Sequence, residues 1–297
     1  MSNSELLKIS GLSKSYNRHK KALDNVSFQV NRGQIIGLIG HNGAGKSTCL
    51  KSALGLITSE GSIKLLGKEP TSHRAKLLQE VAYIADVSVL PGWATPIQLI
   101  NYMQSVHPKF NSERAYTLLK SANIPIKENV NTFSKGMIIQ LHISLILSID
   151  AKLLILDEPT LGLDVLMKNN FYQYLINRFD LNNGAIVISS HQIEELEDIL
   201  THIIILKEGR VTLNSNTRTL IERYHQLEIK KEDLDKVKNA FPTTSVYATI
   251  RGNLVMMFAD IDPEKLSTLG KVCRPRLRDI IIHIMKKNDL EVKETAE

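Results

Sequence analysis

The chain has 297 residues, of which 43% are apolar and 23% are charged, and its formal net charge is +6. This length exceeds one ordinary domain, and the apolar content excludes global disorder, so we expect one large domain and a smaller one. Because the modest charge comes without a long basic block, no nucleic-acid partner is expected.

Neither the cysteines nor the apolar runs indicate a secreted or membrane-spanning chain. Cys49 and Cys273 lie far apart and match no metal-binding spacing, which favours a reducing compartment. The longest apolar run, residues 138–149, is shorter than the ~20 residues that span a bilayer. The first residues show no basic-then-apolar signal segment. We therefore expect a soluble protein, and any work at a membrane would need another chain to span it.

A phosphate-loop pattern follows a β-rich start at residues 5–32. The pattern G-x-x-x-x-G-K-[ST] is matched by eight consecutive residues, Gly40, His41, Asn42, Gly43, Ala44, Gly45, Lys46 and Ser47, and Thr48 adds a second hydroxyl directly after them. An apolar strand candidate at residues 34–39 precedes it, and a helical stretch follows it. Glycines let successive N–H groups and a helix N-terminus face an anion. Although a plain Gly-rich turn is the alternative, the lysine, hydroxyl, strand and helix together predict a nucleoside triphosphate site.

Three residues, two in the phosphate loop and one before it, have expected roles at this site. Lys46 would reach the β- and γ-phosphates, and the Ser47 hydroxyl would ligate Mg²⁺. Tyr16, on the β-rich start, is either a half-buried packing residue or an aromatic platform that stacks on the nucleotide base.

The middle of the chain changes character at about residue 90. Strands are predicted at residues 61–67 and 81–84, with a helix at about 71–80 between them. Residues 90–148 read as an all-helical insertion. Its longest helix opens with Ser134, Lys135, Gly136 and Met137. Ser134 is an ordinary N-cap by itself. Its position before an acidic strand also allows its hydroxyl and the helix N-terminus to bind the γ-phosphate of a nucleotide held by another subunit.

Alternating strands and helices return from residue 152 onwards, which predicts a parallel sheet covered on both faces. The strand at residues 153–158 ends in Asp157 and Glu158, which suit a Mg²⁺ ligand and a base that activates water. A second buried strand, residues 185–189, precedes His191 and a predicted helix at 192–199. Because neighbouring parallel strands end at one sheet edge, we expect His191 close to Glu158, where it can hold the γ-phosphate.

A compact α+β pattern begins at about residue 217. The predicted domains are therefore residues 1–216, which include the helical subdomain at about 90–148, and a small accessory domain at 217–297.

Five motifs in this order resemble the ATP-binding cassette (ABC) ATPases. They are the phosphate loop, Ser134 to Met137, residues 153–159, Leu161-Gly162-Leu163-Asp164, and His191. The resemblance covers roughly residues 5–215. It implies an α/β, P-loop ABC nucleotide-binding domain with an antiparallel β subdomain, a parallel-sheet core and an α-helical subdomain, followed here by the small α+β domain.

The resemblance also implies a role for each matched residue. Tyr16 becomes the adenine-stacking aromatic, and Lys46, Ser47 and Thr48 become ligands of ATP phosphate and Mg²⁺. Asp157 becomes the metal-supporting acid, Glu158 the base and His191 the switch histidine. Ser134 to Met137 would serve the site of a second cassette bound head to tail, and Asp164 would link the two sites.

Two departures from the family pattern qualify the resemblance. Asp86 is the nearest counterpart of a glutamine that couples Mg²⁺ and water to the membrane partner, so Asp86 is a further candidate metal ligand. The signature reads S-K-G-M instead of S-G-G-Q, a variant similar to exporter cassettes of the bacitracin and antimicrobial-peptide type. The C-terminal domain and the loop at residues 87–93 are similar to the tails and coupling surface of that group.

Two functions from different classes follow. The first is an ATPase subunit of a bacterial ABC exporter of peptide, drug-like or lipophilic cargo. It would act at the cytoplasmic face of the membrane with an integral-membrane subunit, as a homodimer or a heterodimer. The alternative is a soluble ABC ATPase that acts as a nucleotide-gated regulatory switch. The residues 40–48 and 153–158 predict ATP and Mg²⁺ in both cases.

Overall fold

The computed structural model describes residues 4–17, 20–85, 90–161, 163–241, 246–248 and 253–294. The chain divides into two compact units, Met1–Asn214 and Ser215–Glu297. The break between the units therefore falls at residues 214 and 215, and the sequence placed it at 216 and 217.

An antiparallel sheet opens the first unit. Its strands β1 (Glu5–Asn17), β2 (Lys20–Asn31) and β4 (Glu60–Leu65) run in the order β2-β1-β4. Inward-facing residues such as Leu7, Ile9 and Leu12 are fully or almost fully buried. Burial of this apolar face joins the sheet to the core of the unit.

A second sheet holds the ends of the strands that carry the sequence motifs. Its order is β5-β6-β7-β3-β8-β9. The strands are β3 (Ile35–Ile39), β5 (Val81–Ile84), β6 (Leu153–Asp157), β7 (Ala185–Ser190), β8 (His202–Lys207) and β9 (Arg210–Asn216). The strands from β5 to β8 are parallel. Asp157 pairs with Ser189, and Ile39 pairs with Ser190, so the carboxyl ends of β3, β6 and β7 lie level.

Helices cover this sheet and form the insertion. They are α1 (Lys46–Ala53), α2 (Pro70–Leu77), α3 (Pro96–Val106), α4 (Ser112–Ser121), α5 (Lys135–Leu147) and α6 (Val165–Arg178). Two of these helices begin at capping residues: Thr95 forms a capping box with Gln98 before α3, and Asn111 caps α4. Within the described part of the insertion, α3, α4 and α5 are joined by turns, an isolated β-bridge and one 3₁₀ turn, Val130–Thr132.

The helix predicted at residues 192–199 is wrong. Only a 3₁₀ turn forms there, Ile193–Glu195, followed by hydrogen-bonded turns. The amide of Leu196 bonds three residues back and that of Leu200 four residues back, so no regular ladder propagates. The Glu195 side chain is instead engaged with residues of other segments, described below.

The second unit has the α+β composition predicted for it. A four-stranded antiparallel sheet has the order β11-β12-β10-β13. Its strands are β10 (Tyr224–Ile229), β11 (Val246–Ala248), β12 (Leu254–Ala259) and β13 (Lys271–Cys273). The helices are α7 (Thr217–Arg223), α8 (Leu234–Ala240), α9 (Pro263–Ser267) and α10 (Leu277–Glu294), with a 3₁₀ turn at Lys231–Asp233. Leu227, Met256 and Phe258 lie at the centre of this unit's own core.

None of the helices in the described part of the chain has the length and apolar character needed to cross a bilayer.

Candidate functional site

The phosphate loop lies between the end of β3 and the start of α1, as its pattern predicts. Gly43 and Gly45 have φ angles of 82° and 105°. This left-handed backbone conformation is unfavourable for residues that carry a Cβ. A Cβ on Gly45 would lie 2.5 Å from the Ala22 carbonyl oxygen, and a Cβ on Gly40 would lie 2.4 Å from the Leu206 carbonyl oxygen. The loop therefore needs glycine at Gly40 for space and at Gly45 for both space and conformation.

Lys46 is almost completely buried at the first position of α1, with 5% of its surface exposed. Its Nζ donates hydrogen bonds to the carbonyl oxygens of Gly40 (2.6 Å) and His41 (3.3 Å). The same ammonium lies 3.0 Å from Glu158 Oε1, so it forms an ion pair with the acidic strand end. The phosphate loop and the predicted base are thus in direct contact.

Asp157 is fully buried at the end of β6. Its Oδ1 accepts a 2.6 Å hydrogen bond from the Ser189 hydroxyl, which itself accepts the Glu158 amide at 3.0 Å. Its Oδ2 is buried and has no hydrogen-bond partner among the described residues. An ionised carboxylate oxygen in this position needs compensation, and a divalent cation that also takes phosphate oxygens and water would supply it. Asp157 therefore fits the predicted Mg²⁺ role.

His191 follows the last residue of β7, and its Nδ1 lies 2.8 Å from Glu158 Oε2. Its Nε2 lies 3.1 Å from the side-chain nitrogen of Gln192. The structure brings Lys46, Glu158 and His191 into one chain of contacts because β6 and β7 are neighbours and end level. Glu158 lies at this junction with a φ of 48°. This backbone conformation is uncommon for a residue other than glycine and is often found at functional sites.

The signature segment, Ser134 to Met137, forms the N-cap and first residues of α5 and lies beside the start of α6. The Ser134 hydroxyl accepts the Met137 amide at 3.3 Å, and the Asp164 carboxylate accepts the Met167 amide at 2.9 Å. Both caps line one cavity of about 460 Å³, together with Gly136. Lys135 lines a second cavity, of about 230 Å³, which Glu158 also borders.

Tyr16 lies at the end of β1 with 61% of its surface exposed. Its hydroxyl is 3.4 Å from Thr48 Oγ1 in the first turn of α1, and Lys14 Nζ lies 5.5 Å from its ring centre. The ring is exposed and lies beside the phosphate loop, as the base-stacking interpretation requires. Asp86, the further candidate metal ligand, lies outside the described residues, as does Gly162.

The sequence interpretation missed four residues around this site: Ser189, Lys168, Gln192 and Glu195. Ser189 was visible only as a hydroxyl near a strand end, which is a weak signal. The other three read as the polar face of a helix or turn, and nothing in their spacing indicates that they meet.

Comparisons with known proteins agree with this geometry. A family model described as "ABC transporter" matches residues 23–161. The bacitracin transport ATP-binding protein BcrA of Bacillus licheniformis is 31% identical, over 70% of this chain and 69% of that protein. The chain belongs to the ABC transporter family. The SkfA peptide export ATP-binding protein SkfE of Bacillus subtilis is also 31% identical, over 70% of this chain and 87% of that protein.

Solved structures show the same relationship. One described as the ATP binding subunit of an ABC transporter has 28% identity and a TM-score of 0.65, and the match covers 73% of this chain and 92% of that chain. The predicted α/β P-loop fold is confirmed. As a member of the ABC transporter family, the chain is an ATP-binding subunit of an ABC transporter. Proteins of this family hydrolyse ATP.

Proposed function

We propose that this ABC subunit hydrolyses ATP with Glu158 as the base and His191 as the γ-phosphate contact, and that it powers an exporter. The observation that carries the proposal is the chain of contacts from Lys46 through Glu158 to His191. It lies at the sheet edge where Asp157 keeps one buried oxygen without a partner among the described residues. Phosphoryl transfer needs these elements together: a cation for the phosphates, a metal-binding acid and a base.

The ion pair between Lys46 and Glu158 suggests how the substrate prepares the base. In the structure the Lys46 ammonium neutralises Glu158. Phosphate oxygens of ATP would compete for that ammonium, because a lysine binds phosphate as a point charge. Glu158 would then accept the proton of the attacking water, while His191 holds the γ-phosphate. Ser47 and Asp157 would hold Mg²⁺, with Asp86 as a further candidate, and the ion would neutralise the charge that develops on the phosphates.

The active form would be a head-to-tail dimer, with a second copy of this chain or a related cassette. Each ATP would lie between Gly40 to Thr48 of one subunit, including Asn42, Gly43 and Ala44, and the signature segment Ser134 to Met137 of the other. Asp164 would link the two sites. The neighbouring apolar side chains support this proposal because they are unusually exposed: Leu161 (59%), Val165 (74%), Leu166 (71%) and Met167 (41%). Exposed apolar groups of this kind mark interaction surfaces.

The names of two relatives support a cargo class for this proposal. BcrA is named for bacitracin transport and SkfE for peptide export, which supports an exporter of peptide or drug-like cargo here. We assign residues 1–216 as the nucleotide-binding domain and 217–297 as an accessory domain. The work would be done at the cytoplasmic face of the membrane, through an integral-membrane subunit and without nucleic acid. The regulatory-switch alternative finds no support in the names of these relatives.

Replacing Glu158 by Gln tests the proposal. Glu158→Gln keeps the size of the side chain but removes the base, so ATP should still bind while turnover falls by about 10²-fold or more. With hydrolysis blocked, size-exclusion chromatography with ATP should show an accumulated dimer. Glu113→Gln, at the exposed start of α4, is the control and should behave as the parent chain. Wild-type turnover in Glu158→Gln would remove Glu158 from its assigned role.

A further inference from the structure

A partly buried ion pair joins α6 to the segment that follows His191. Lys168, in the first turns of α6, pairs with Glu195 Oε1, and the two side chains are only 16% and 11% exposed. The Lys168 ammonium also lies 3.4 Å from Gln192 Oε1 and donates to it. Gln192 is thus held from one side by a lysine that it meets only through the folding of the chain.

The hydrogen-bonding capacities of these groups fix the orientation of Gln192. Lysine can only donate, so the amide oxygen of Gln192 faces Lys168 and its nitrogen faces His191 Nε2, at 3.1 Å. The other ring nitrogen, Nδ1, lies 2.8 Å from Glu158 Oε2. Gln192 and Glu158 therefore hold opposite sides of the His191 ring, and Lys168 acts on the ring through Gln192.

Glu195 is anchored from the opposite side by Thr160, two residues after Glu158. Glu195 Oε2 accepts the Thr160 hydroxyl proton at 3.0 Å. Since a hydroxyl has one proton, Tyr172 must be the donor in its 3.1 Å contact with Thr160. Burial raises the pKa of Tyr172 well above its usual range, which keeps this donor protonated. The network therefore ties α6 to the segments that carry both Glu158 and His191.

We propose that Lys168 and Glu195 are positioning residues for ATP hydrolysis, which orient Gln192 and through it the His191 ring toward Glu158. The proposal rests on the roles assigned above to Glu158 and His191. It predicts a larger effect on turnover than on nucleotide affinity, since Lys168 and Glu195 make none of these contacts with the phosphate loop that holds the nucleotide. Because Asp164 caps α6, the network also links the region assigned to subunit contact with the hydrolysis site.

The test is a double-substitution cycle on the purified full chain. Lys168→Met should lower kcat about 10-fold, in line with the effect of other supporting side chains around reactive groups. The Kd for ATP, measured by displacement of a fluorescent nucleotide, should stay within about 2-fold. Gln192→Ala should lower kcat to a similar extent, and adding Lys168→Met to Gln192→Ala should lower it no further. Lys168→Arg should restore most of the activity, because it keeps the charge and the donors.

Two further variants separate positioning from stability. Lys109→Met removes another lysine that pairs with a glutamate, Glu80, and should leave kcat unchanged. Lys168→Met/Glu195→Gln removes both charges, so that no buried charge stays unpaired. If Lys168→Met fails to fold, Gln192→Ala tests the same link, since Gln192 is exposed at the surface.

The proposal is overturned if kcat is unchanged in Gln192→Ala, or if the effects of Lys168→Met and Gln192→Ala multiply. Multiplying effects would mean that Lys168 acts by supporting α6 and not through Gln192. Failure of the proposed function gives a different result, namely wild-type turnover in Glu158→Gln whatever the behaviour of Lys168.

Discussion

The hydroxyl of Ser189 holds the two acidic residues of the site, so its removal is a sharp test of the geometry. In Ser189→Ala, Asp157 Oδ1 loses its 2.6 Å donor and the Glu158 amide loses its 3.0 Å acceptor. Both Ser189 and Asp157 are fully buried, so water does not replace the lost hydroxyl. The substitution removes one oxygen atom and changes the packing little.

The two lost contacts differ in their cost. The Glu158 amide keeps a second acceptor, the Ser189 carbonyl oxygen at 3.3 Å, so it is not left without a partner. Asp157 loses a hydrogen bond to a charged group, which contributes about 1.5–3 kcal/mol. We therefore expect the free energy of unfolding to fall by about 2 kcal/mol. For a unit of this size, that corresponds to a Tm lower by about 4–8 °C.

Urea unfolding and the Mg²⁺ dependence of ATP hydrolysis provide the assay. If the hydroxyl also orients Asp157 toward the metal, Ser189→Ala should need more Mg²⁺ for half-maximal rate. The matched control is Ser144→Ala, a fully buried serine whose hydroxyl donates to the Gln140 carbonyl oxygen within α5. That carbonyl can keep its helical hydrogen bond, so the control should cost less than about 1 kcal/mol.

Equal stability of Ser189→Ala and Ser144→Ala would refute the reasoning, because it would show that Asp157 does not depend on the hydroxyl. A loss of stability without any change in Mg²⁺ dependence would refute only the second part. Asp157 would then be oriented by its strand alone.

The remaining predictions concern the loop glycines, one histidine and the cysteines. Gly45→Ala should abolish nucleotide binding and lower the free energy of unfolding by more than about 2 kcal/mol, because its Cβ meets backbone; Gly43→Ala, which faces open space, should cost only about 1 kcal/mol. Burial lowers the pKa of His142 to about 4. Between this pH and about 6.5, His142 is therefore protonated in the unfolded chain and neutral in the folded chain. Stability should therefore fall as the pH falls from about 6.5 to about 4, and His142→Gln should remove up to about 3 kcal/mol of that loss in acid-unfolding curves. Burial raises the pKa of the Cys49 thiol to about 12, so a thiol reagent at about pH 8 should label only Cys273 in the native chain and both cysteines in urea. Labelling of both at equal rates before unfolding would contradict this.

The sequence correctly predicted the features that depend on a few neighbouring residues. Gly45 must be glycine for its own φ angle, and the strand that ends at Asp157 is apolar up to that residue. The contact between Glu158 and His191 could also be expected, because neighbouring parallel strands end at a common edge. The roles assigned to these residues remain predictions that the substitutions above will test.

Prediction from local sequence patterns was wrong where side chains of distant segments contact each other. Residues 192–199 have the apolar spacing of a helix, yet Glu195 bonds to Thr160 and pairs with Lys168, and only a 3₁₀ turn forms. Spacing describes one segment at a time, so it carries no information on such partners.

The sequence by itself determined the phosphate loop, the acidic strand end and the order of the family's motifs. Glycine conformations and strand periodicity act over a few residues, and these can be read from a single segment. Only the tertiary structure decided that Ser189 holds Asp157, that Lys46 pairs with Glu158, and that Lys168 reaches Gln192. Each of these contacts joins segments that are separated along the chain, and the register of the sheet and the packing of α6 bring them together.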